Sequence, residues 1–365
     1  MSEATNLLDL VEAVRHHPGV VTKASLALVA EVLGGDDPVQ GPGDDGAVIE
    51  IGDSRVVTGG EAMWPPFVAS DPRGAGIAAV VANVNDLAAM GARPLGLVDT
   101  IVAPQATARR ALEGLAHAAA LYRVPILGGH LTVHEGPASL SAFGIGLATR
   151  VLSAANVAPG QVVLVAACVE GRMRPDFTYF SSIAERGERL ADDVRLLADV
   201  AEAGLCVAAK DVSMSGVLGS LAMLLESSGC GATIDVATLP RPDAVSIMDW
   251  AVAFPTFGFV LAAPPDRADG CRRAFRRRGL ECEACGVADS SGIVRLHLGH
   301  DEQQLFDVTR EPLTGLRPRP APPRSSADGA ALARSASPGR GSGNGRAGAG
   351  SPSAQSRSAR LAGRP

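Results

Sequence analysis

GPGDDGAV, from Gly41 to Val48, sets two adjacent carboxylates, Asp44 and Asp45, among glycines and directly ahead of the apolar residues Ala47, Val48, Ile49 and Ile51. A flexible acidic turn thus feeds a strand, and glycine permits the backbone angles that aim both carboxylates outward. Two like charges side by side are unfavourable unless solvent or a cation lies between them, and hard oxygen ligands on a bendable loop suit magnesium. The turn alone is either a solvated Asp-Gly connection or one wall of a cation site. The rest of the chain has to decide.

Upstream, Leu7, Leu8, Val11 and Val14 are spaced as on a helix, and a second helical pattern runs from about Thr22 to Leu33 after Pro18-Gly19, so residues 1–40 read as a helical arm or lid. Downstream, strands are expected at 46–51 and 55–58, joined by a Gly52-Asp53-Ser54 hairpin. Ser70-Asp71-Pro72 supplies an N-cap and a first-turn proline for a helix that reaches Ala89 and stops at Gly91. Its many Gly and Ala residues allow close approach to a sheet. Asn83, Asn85 and Asp86 interrupt this apolar surface and require partners, in a site or in a structural hydrogen-bond network. A strand at 95–103, a helix at 106–122, a strand at 124–127 entering Gly128-Gly129-His130, and a strand at 139–149 complete a first unit. Beyond Ala158-Pro159-Gly160 a second unit alternates strands at 162–168, 205–209, 232–236, 257–262, 281–287 and 292–298 with helices at 187–204, 217–228 and 266–279. The pattern indicates an α/β or α+β protein.

At 365 residues, 46% apolar and 20% charged, the chain can bury two cores. It has no apolar run of about eighteen residues and no basic, then apolar, leader, so neither a membrane span nor secretion is expected. The six scattered cysteines read as reduced thiols of a cytoplasmic protein, and Cys282 and Cys285 form a lone CxxC without a second metal-binding pair. The net charge of −6 hides nine arginines against a single acid, Asp328, from Arg317 onward, which leaves −14 on the remainder. Such an acidic body is a poor match for nucleic acid. The arginines of the 266–279 helix lack interleaved aromatics and read as a solvated face. Residues 317–365, rich in Pro, Ser, Gly and Arg, read as disordered. Lysine occurs only at positions 23 and 210, which marks Lys210.

Asp44-Asp45, Asn85-Asp86, Gly129-His130 and Lys210-Asp211 all fall next to glycine or where elements end, positions at which a scaffold presents side chains to a cleft. Together they offer oxygen ligands for magnesium and a lysine for a phosphate, and phosphoryl transfer needs little beyond such positioning and charge neutralisation. No P-loop, kinase glycine loop or dinucleotide fingerprint is present.

GDDGAV at Gly43–Val48, NVNDLAAMGARP at Asn83–Pro94, the Gly128-Gly129 turn, and KDVSMSGVLGSLAMLLESSGCGATID at Lys210–Asp235 resemble the aminoimidazole ribonucleotide (AIR) synthetase superfamily, which includes thiamine-monophosphate kinase and selenophosphate synthetase. The resemblance implies a two-domain fold: an N-terminal ATP-binding mixed sheet with helices at 41–157, through which members dimerise, and a C-terminal α+β domain at 158–316. It also implies an ATP- and Mg2+-dependent kinase or ligase acting on a small metabolite. Asp44, Asp45, Asp86 and Asp211 would contact ATP or magnesium, and either Glu61 replaces a family aspartate from one position further along or that ligand is lost. Asn85, Gly128 and Gly129 would line the nucleotide, with Lys210, Asp211 and His130 as catalytic residues.

Three departures bear on function. Thr58-Gly59-Gly60-Glu61 stands where the kinase has Thr-Asp, His130 stands where it has aspartate, and Met214 replaces a second aspartate of the DVSDGL motif. No cysteine precedes Cys168, which argues against selenide chemistry. Trp64, Phe67, Arg172, Arg174, Tyr179 and Phe180 read either as a substrate pocket or as core and interface packing. The replaced carboxylates leave a second expectation open, a nucleotide-binding regulatory or scaffold subunit without catalysis of its own.

Overall fold

A computed structural model describes residues 6–33, 43–175 and 177–316. The tail expected from residue 317 onward and the end of the expected arm lie outside the described residues. The chain opens with helices α1 (Leu7–Arg15) and α2 (Pro18–Val21), then a 3-10 turn (Thr22–Leu26) that continues into α3 (Ala27–Leu33). The acidic turn enters β1 (Ala47–Ile51), which pairs antiparallel with β2 (Ser54–Ala62) through the two-residue loop Gly52-Asp53. Then follow α4 (Pro65–Ser70), α5 (Pro72–Ala89), β3 (Arg93–Ala103), α6 (Gln105–Tyr122), β4 (Ile126–Val133) and β5 (Ser139–Ala148). The five strands form a mixed sheet in the order β1-β2-β5-β3-β4, with β3 and β4 parallel.

The second part contains β6 (Val162–Ala167), β7 (Arg172–Met173), β8 (Tyr179–Ser181), α7 (Ile183–Arg186), α8 (Leu190–Glu202) and β9 (Ala208–Asp211). After these come α9 (Gly216–Glu226), β10 (Gly231–Asp235), α10 (Ile247–Val252), β11 (Phe254–Pro255), β12 (Gly258–Ala263) and α11 (Ala268–Arg276). The last elements are β13 (Glu281–Asp289), β14 (Ile293–Leu298) and β15 (Asp301–Asp307), the last of which the sequence pattern did not reveal. A seven-stranded sheet runs β15-β14-β10-β13-β6-β12-β9, and β11, β8 and β7 make a small third sheet.

The unbroken apolar runs of β6 and β12 are explained by burial on both faces. Leu164, Ala166, Phe259 and Leu261 join a core with α5, α6, α8 and α11, whereas Val163, Val165, Val260 and Ala262 join another with α1, α9 and α10. The first core continues to the inner face of the five-stranded sheet through Leu97, Ile101, Leu140 and Ala142. The other face of that sheet is open and leaves Ile49, Ile51, Phe143 and Leu147 substantially exposed. The N-terminal arm is not a detached lid: Leu7, Leu10, Val11 and Val14 are buried with Leu305 and Val308 in the second core.

Two expectations are corrected. Gly128-Gly129 is not a turn, because both residues lie within β4 in register with Val98 and Asp99. Lys210 and Asp211 do not follow a strand but end β9, at the edge of the large sheet. The CxxC cysteines are free and buried, and Cys282 and Cys285 belong to different cores. No described helix is long and apolar enough to cross a membrane.

Candidate functional site

Three remote segments converge. The turn before β1 brings Asp45, the last part of α5 brings Asp86, and the end of β9 brings Asp211; one carboxylate oxygen of each lies within 4.8 Å of those of the other two. Small residues let α5 lie close against α6: a Cβ on Gly76 would stand 2.1 Å from the Ala111 carbonyl oxygen. Capping of α5 is as the sequence implies, the Asp71 carboxylate accepting from the Gly74 amide at 2.9 Å.

Because β9 is an edge strand, its outward N–H groups have no strand partner. Asp45 takes one of them, its Oδ2 accepting from the Asp211 amide at 2.9 Å, while its Oδ1 forms an ion pair with Lys210 Nζ. Strand alternation sends Ala208 to the α9 side and Ala209 to the α5 side, and by the same alternation Lys210 and Asp211 part company. Lys210 thus leaves toward α9 and reaches Asp45 at the strand edge, and Asp211 faces Asp86.

The charges are crowded. Burial, reinforced by Asp211 and Asp45, pushes the Asp86 carboxyl well above the ordinary carboxylate range. Burial and Asp45 push Asp211 up to about 7, against the pull of Lys210 and Lys23. Burial alone would lower the Lys210 ammonium, but Asp45 and Asp211 outweigh it and hold it above its ordinary value. Glu61 stands at the solvent-exposed rim; packing around it raises its carboxyl, with Asp45 adding to the rise and Lys23 and Lys210 opposing it. Three hard oxygen donors crowded together, with Lys210 as the cation paired to one of them, suit magnesium.

Next to Lys210 lies a cavity of about 190 Å³ walled by Lys23, Asp44, Lys210, Met223, Glu226 and Thr314. Both lysines of the chain therefore border one space. Lys23 was missed from the sequence, although its rarity was the available signal. Glu226 was missed too; it ends α9, and its carboxylate accepts from the amides of Leu313 and Thr314, at 2.5 and 3.1 Å, and from the Thr314 hydroxyl.

Other expected residues are placed elsewhere. Asp44 walls the cavity without belonging to the trio: its carboxylate accepts from the Ser153 hydroxyl at 2.7 Å and the Ala154 amide at 2.8 Å, tying the turn to the segment after β5. Asn85 donates to the Thr256 carbonyl at 3.0 Å, which bridges α5 to the third sheet, and its Oδ1 is buried without a partner. His130 pairs with Thr100 and so shares the open face of the sheet, opposite α5; its Nε2 is 3.2 Å from the Thr132 hydroxyl. Period-two alternation, hidden while Gly128-Gly129 was read as a turn, keeps His130 from the acidic trio. Gly129 is needed because a Cβ there would stand 2.7 Å from the Asp99 carboxylate, a buried acid also missed from the sequence and raised by burial.

Of the aromatic candidates, Tyr179 packs on Phe254 with ring centroids 5.2 Å apart, and Phe177 bridges Phe254 and Phe67. The Tyr179 hydroxyl meets that of Thr256 at 2.6 Å, and burial raises its pKa to about 12. Arg174 pairs with Asp71, and Arg172 with Glu185 at the surface. Trp64 is 64% exposed, whereas Phe180 is core, edge-on to Trp250.

The AIR synthase related protein N-terminal domain matches residues 43–148 and the corresponding C-terminal domain residues 180–299. An uncharacterised protein of Synechocystis sp. is 32% identical over 316 residues, 85% of this chain and 98% of that protein. Thermotoga maritima PurL complexed with ADP superposes with a TM-score of 0.68 at 18% identity, covering 88% of this chain and 53% of PurL; the chain thus spans about half of PurL. AaThiL complexed with AMPPCP and TMP superposes with a TM-score of 0.58 at 17% identity, covering 76% of this chain and 95% of that one. With both of these domains in order, the chain belongs to the AIR synthase related family.

Proposed function

We propose that this protein binds ATP with magnesium and transfers a phosphoryl group to a small metabolite, as a kinase or as the activating half of a ligase. The observation that carries the reading is the meeting of Asp45, Asp86 and Asp211 beside a cavity bordered by both lysines of the chain. Asp45, Asp86 and Asp211 would hold the magnesium, with Glu61 at the rim. When bound, the ion would neutralise charge on the transferring phosphate. Lys23 and Lys210 would face phosphate oxygens. The cavity, smaller than the roughly 300 to 1,000 Å³ of a whole small-molecule pocket, has room for one moiety of the nucleotide. The Phe67, Phe177, Tyr179 and Phe254 cluster, tied to α5 through Asn85 and Thr256, is the proposed acceptor side, with Trp64 and Arg172 at its edge.

The nucleotides named with PurL and AaThiL support the reading. It is tested by calorimetry of ATP with magnesium and by ADP release across a panel of metabolites, with Asp86→Asn expected to abolish both. Absence of ATP binding by the wild-type protein would overturn it. His130, on the face away from the trio, favours a second reading in which nucleotide is held without turnover. In that case calorimetry shows binding and no metabolite elicits ADP. We further propose that the open apolar face of the five-stranded sheet closes a cytoplasmic homodimer.

A further inference from the structure

Both oxygens of Asp45 are engaged by the chain itself, one by Lys210 Nζ and the other by the Asp211 amide. Of the three carboxylates of the trio, Asp45 is therefore the one whose charge is already met. The cation that meets it is one of only two lysines in a chain whose other strong bases are arginines. Lysine is a compact charge on a rotatable stem, whereas arginine is a rigid fork suited to fixed bidentate pairs. The buried pair of Arg186 with Asp193, by contrast, is of the fixed kind. Lys210 also has somewhere to go, since it lines the neighbouring cavity, which Lys23 lines too.

We propose that Lys210 is a resident counter-cation, which satisfies Asp45 until nucleotide phosphate draws the ammonium into the cavity and releases the carboxylate to the divalent ion. Metal binding is thereby made conditional on nucleotide binding, and by linkage the metal tightens the nucleotide by the same factor. The inference rests on the nucleotide reading above and adds the order in which its ligands load. The groups facing Lys210 are Asp45, Asp86 and Asp211, with Glu61 at the rim and Glu226 on the cavity wall.

Mn2+ alone, titrated into the full chain and followed by the paramagnetic resonance of the free ion, tests it. Lys210→Met is expected to bind Mn2+ without nucleotide at least tenfold more tightly than wild type, and Lys210→Arg as weakly as wild type. A non-hydrolysable ATP analogue should tighten Mn2+ at least tenfold in wild type and far less in Lys210→Met. Equal Mn2+ affinity of wild type and Lys210→Met without nucleotide overturns the role of Lys210. If both nonetheless take up Mn2+ with the analogue, the nucleotide reading stands. Mn2+ uptake by neither protein, with or without analogue, removes both. Should Lys210→Met not fold, Lys210→Gln replaces it, and an analogue that leaves wild-type Mn2+ affinity unchanged overturns the proposal without any variant.

Discussion

Asp45→Asn isolates what the Asp45–Lys210 pair does for the fold. Asparagine keeps the shape and an acceptor for the Asp211 amide, so the hydrogen bond there, about 1 kcal/mol, is retained. What is lost is the charge opposite Lys210, in a pair whose lysine and aspartate side chains are only 11% and 5% exposed. Breaking a buried pair by removing one partner costs about 3 to 5 kcal/mol. Asp211 and Asp86 remain nearby to share the ammonium, so a loss of about 2 to 3 kcal/mol is expected, below that range. Removing the stranded charge as well, in Asp45→Asn/Lys210→Met, should return stability to within about 1 kcal/mol of wild type, because buried pairs replaced whole are often neutral. Urea unfolding in the presence of a chelator measures all three proteins. A single variant as stable as wild type, or a double variant no more stable than the single one, would refute the reasoning.

Gly19→Ala should destabilise by about 1 to 3 kcal/mol, since the new Cβ would stand 1.9 Å from the Met214 carbonyl oxygen in the loop after Asp211; an unchanged melting temperature contradicts this. Phe143→Glu puts a charge on the open sheet face and should turn a dimer into a monomer in sedimentation, with helix content unchanged. Burial raises the Glu226 carboxyl, so the native state holds a proton that the unfolded chain releases near pH 4.3. Its contribution is present below that pH and lost as pH rises through the raised native value, and Glu226→Gln should flatten that decline of stability. A variant with the same pH profile as wild type would sink the assignment.

Most elements were legible because their signals are local. Asp71-Pro72 starts α5 and Gly91, at φ 73°, follows its end. Gly52-Asp53 makes the hairpin, and the unbroken apolar runs mark strands covered on both sides. The family resemblance pointed to Asp45, Asp86 and Asp211, which the fold brings together, and the rarity of lysine marked Lys210 beside them. What failed was non-local. Gly128-Gly129 carries the local sign of a turn, yet pairing with β3 overrides it and sets the face on which His130 stands. Asp44 and Asp45 are indistinguishable in sequence; only the positions of Ser153 and the edge of β9 separate a residue that fastens the loop from one that faces the trio. Lys23 and Glu226 reach the site through helices whose packing no periodicity announces.

The cavity is walled by both an early and a late part of the chain. Lys23 lies just before α3, while Thr314 is held by Glu226 and a Cβ on Gly315 would stand 2.7 Å from that of Ala27. On the ribosome, where N-terminal segments emerge first, α1 must wait for β15 before its apolar face has its partners. The five-stranded sheet and α5 have all emerged by then. Among the described residues, the space beside Lys210 is consequently walled by some of the latest to be made, and a chain halted before residue 313 presents its acidic trio without that wall.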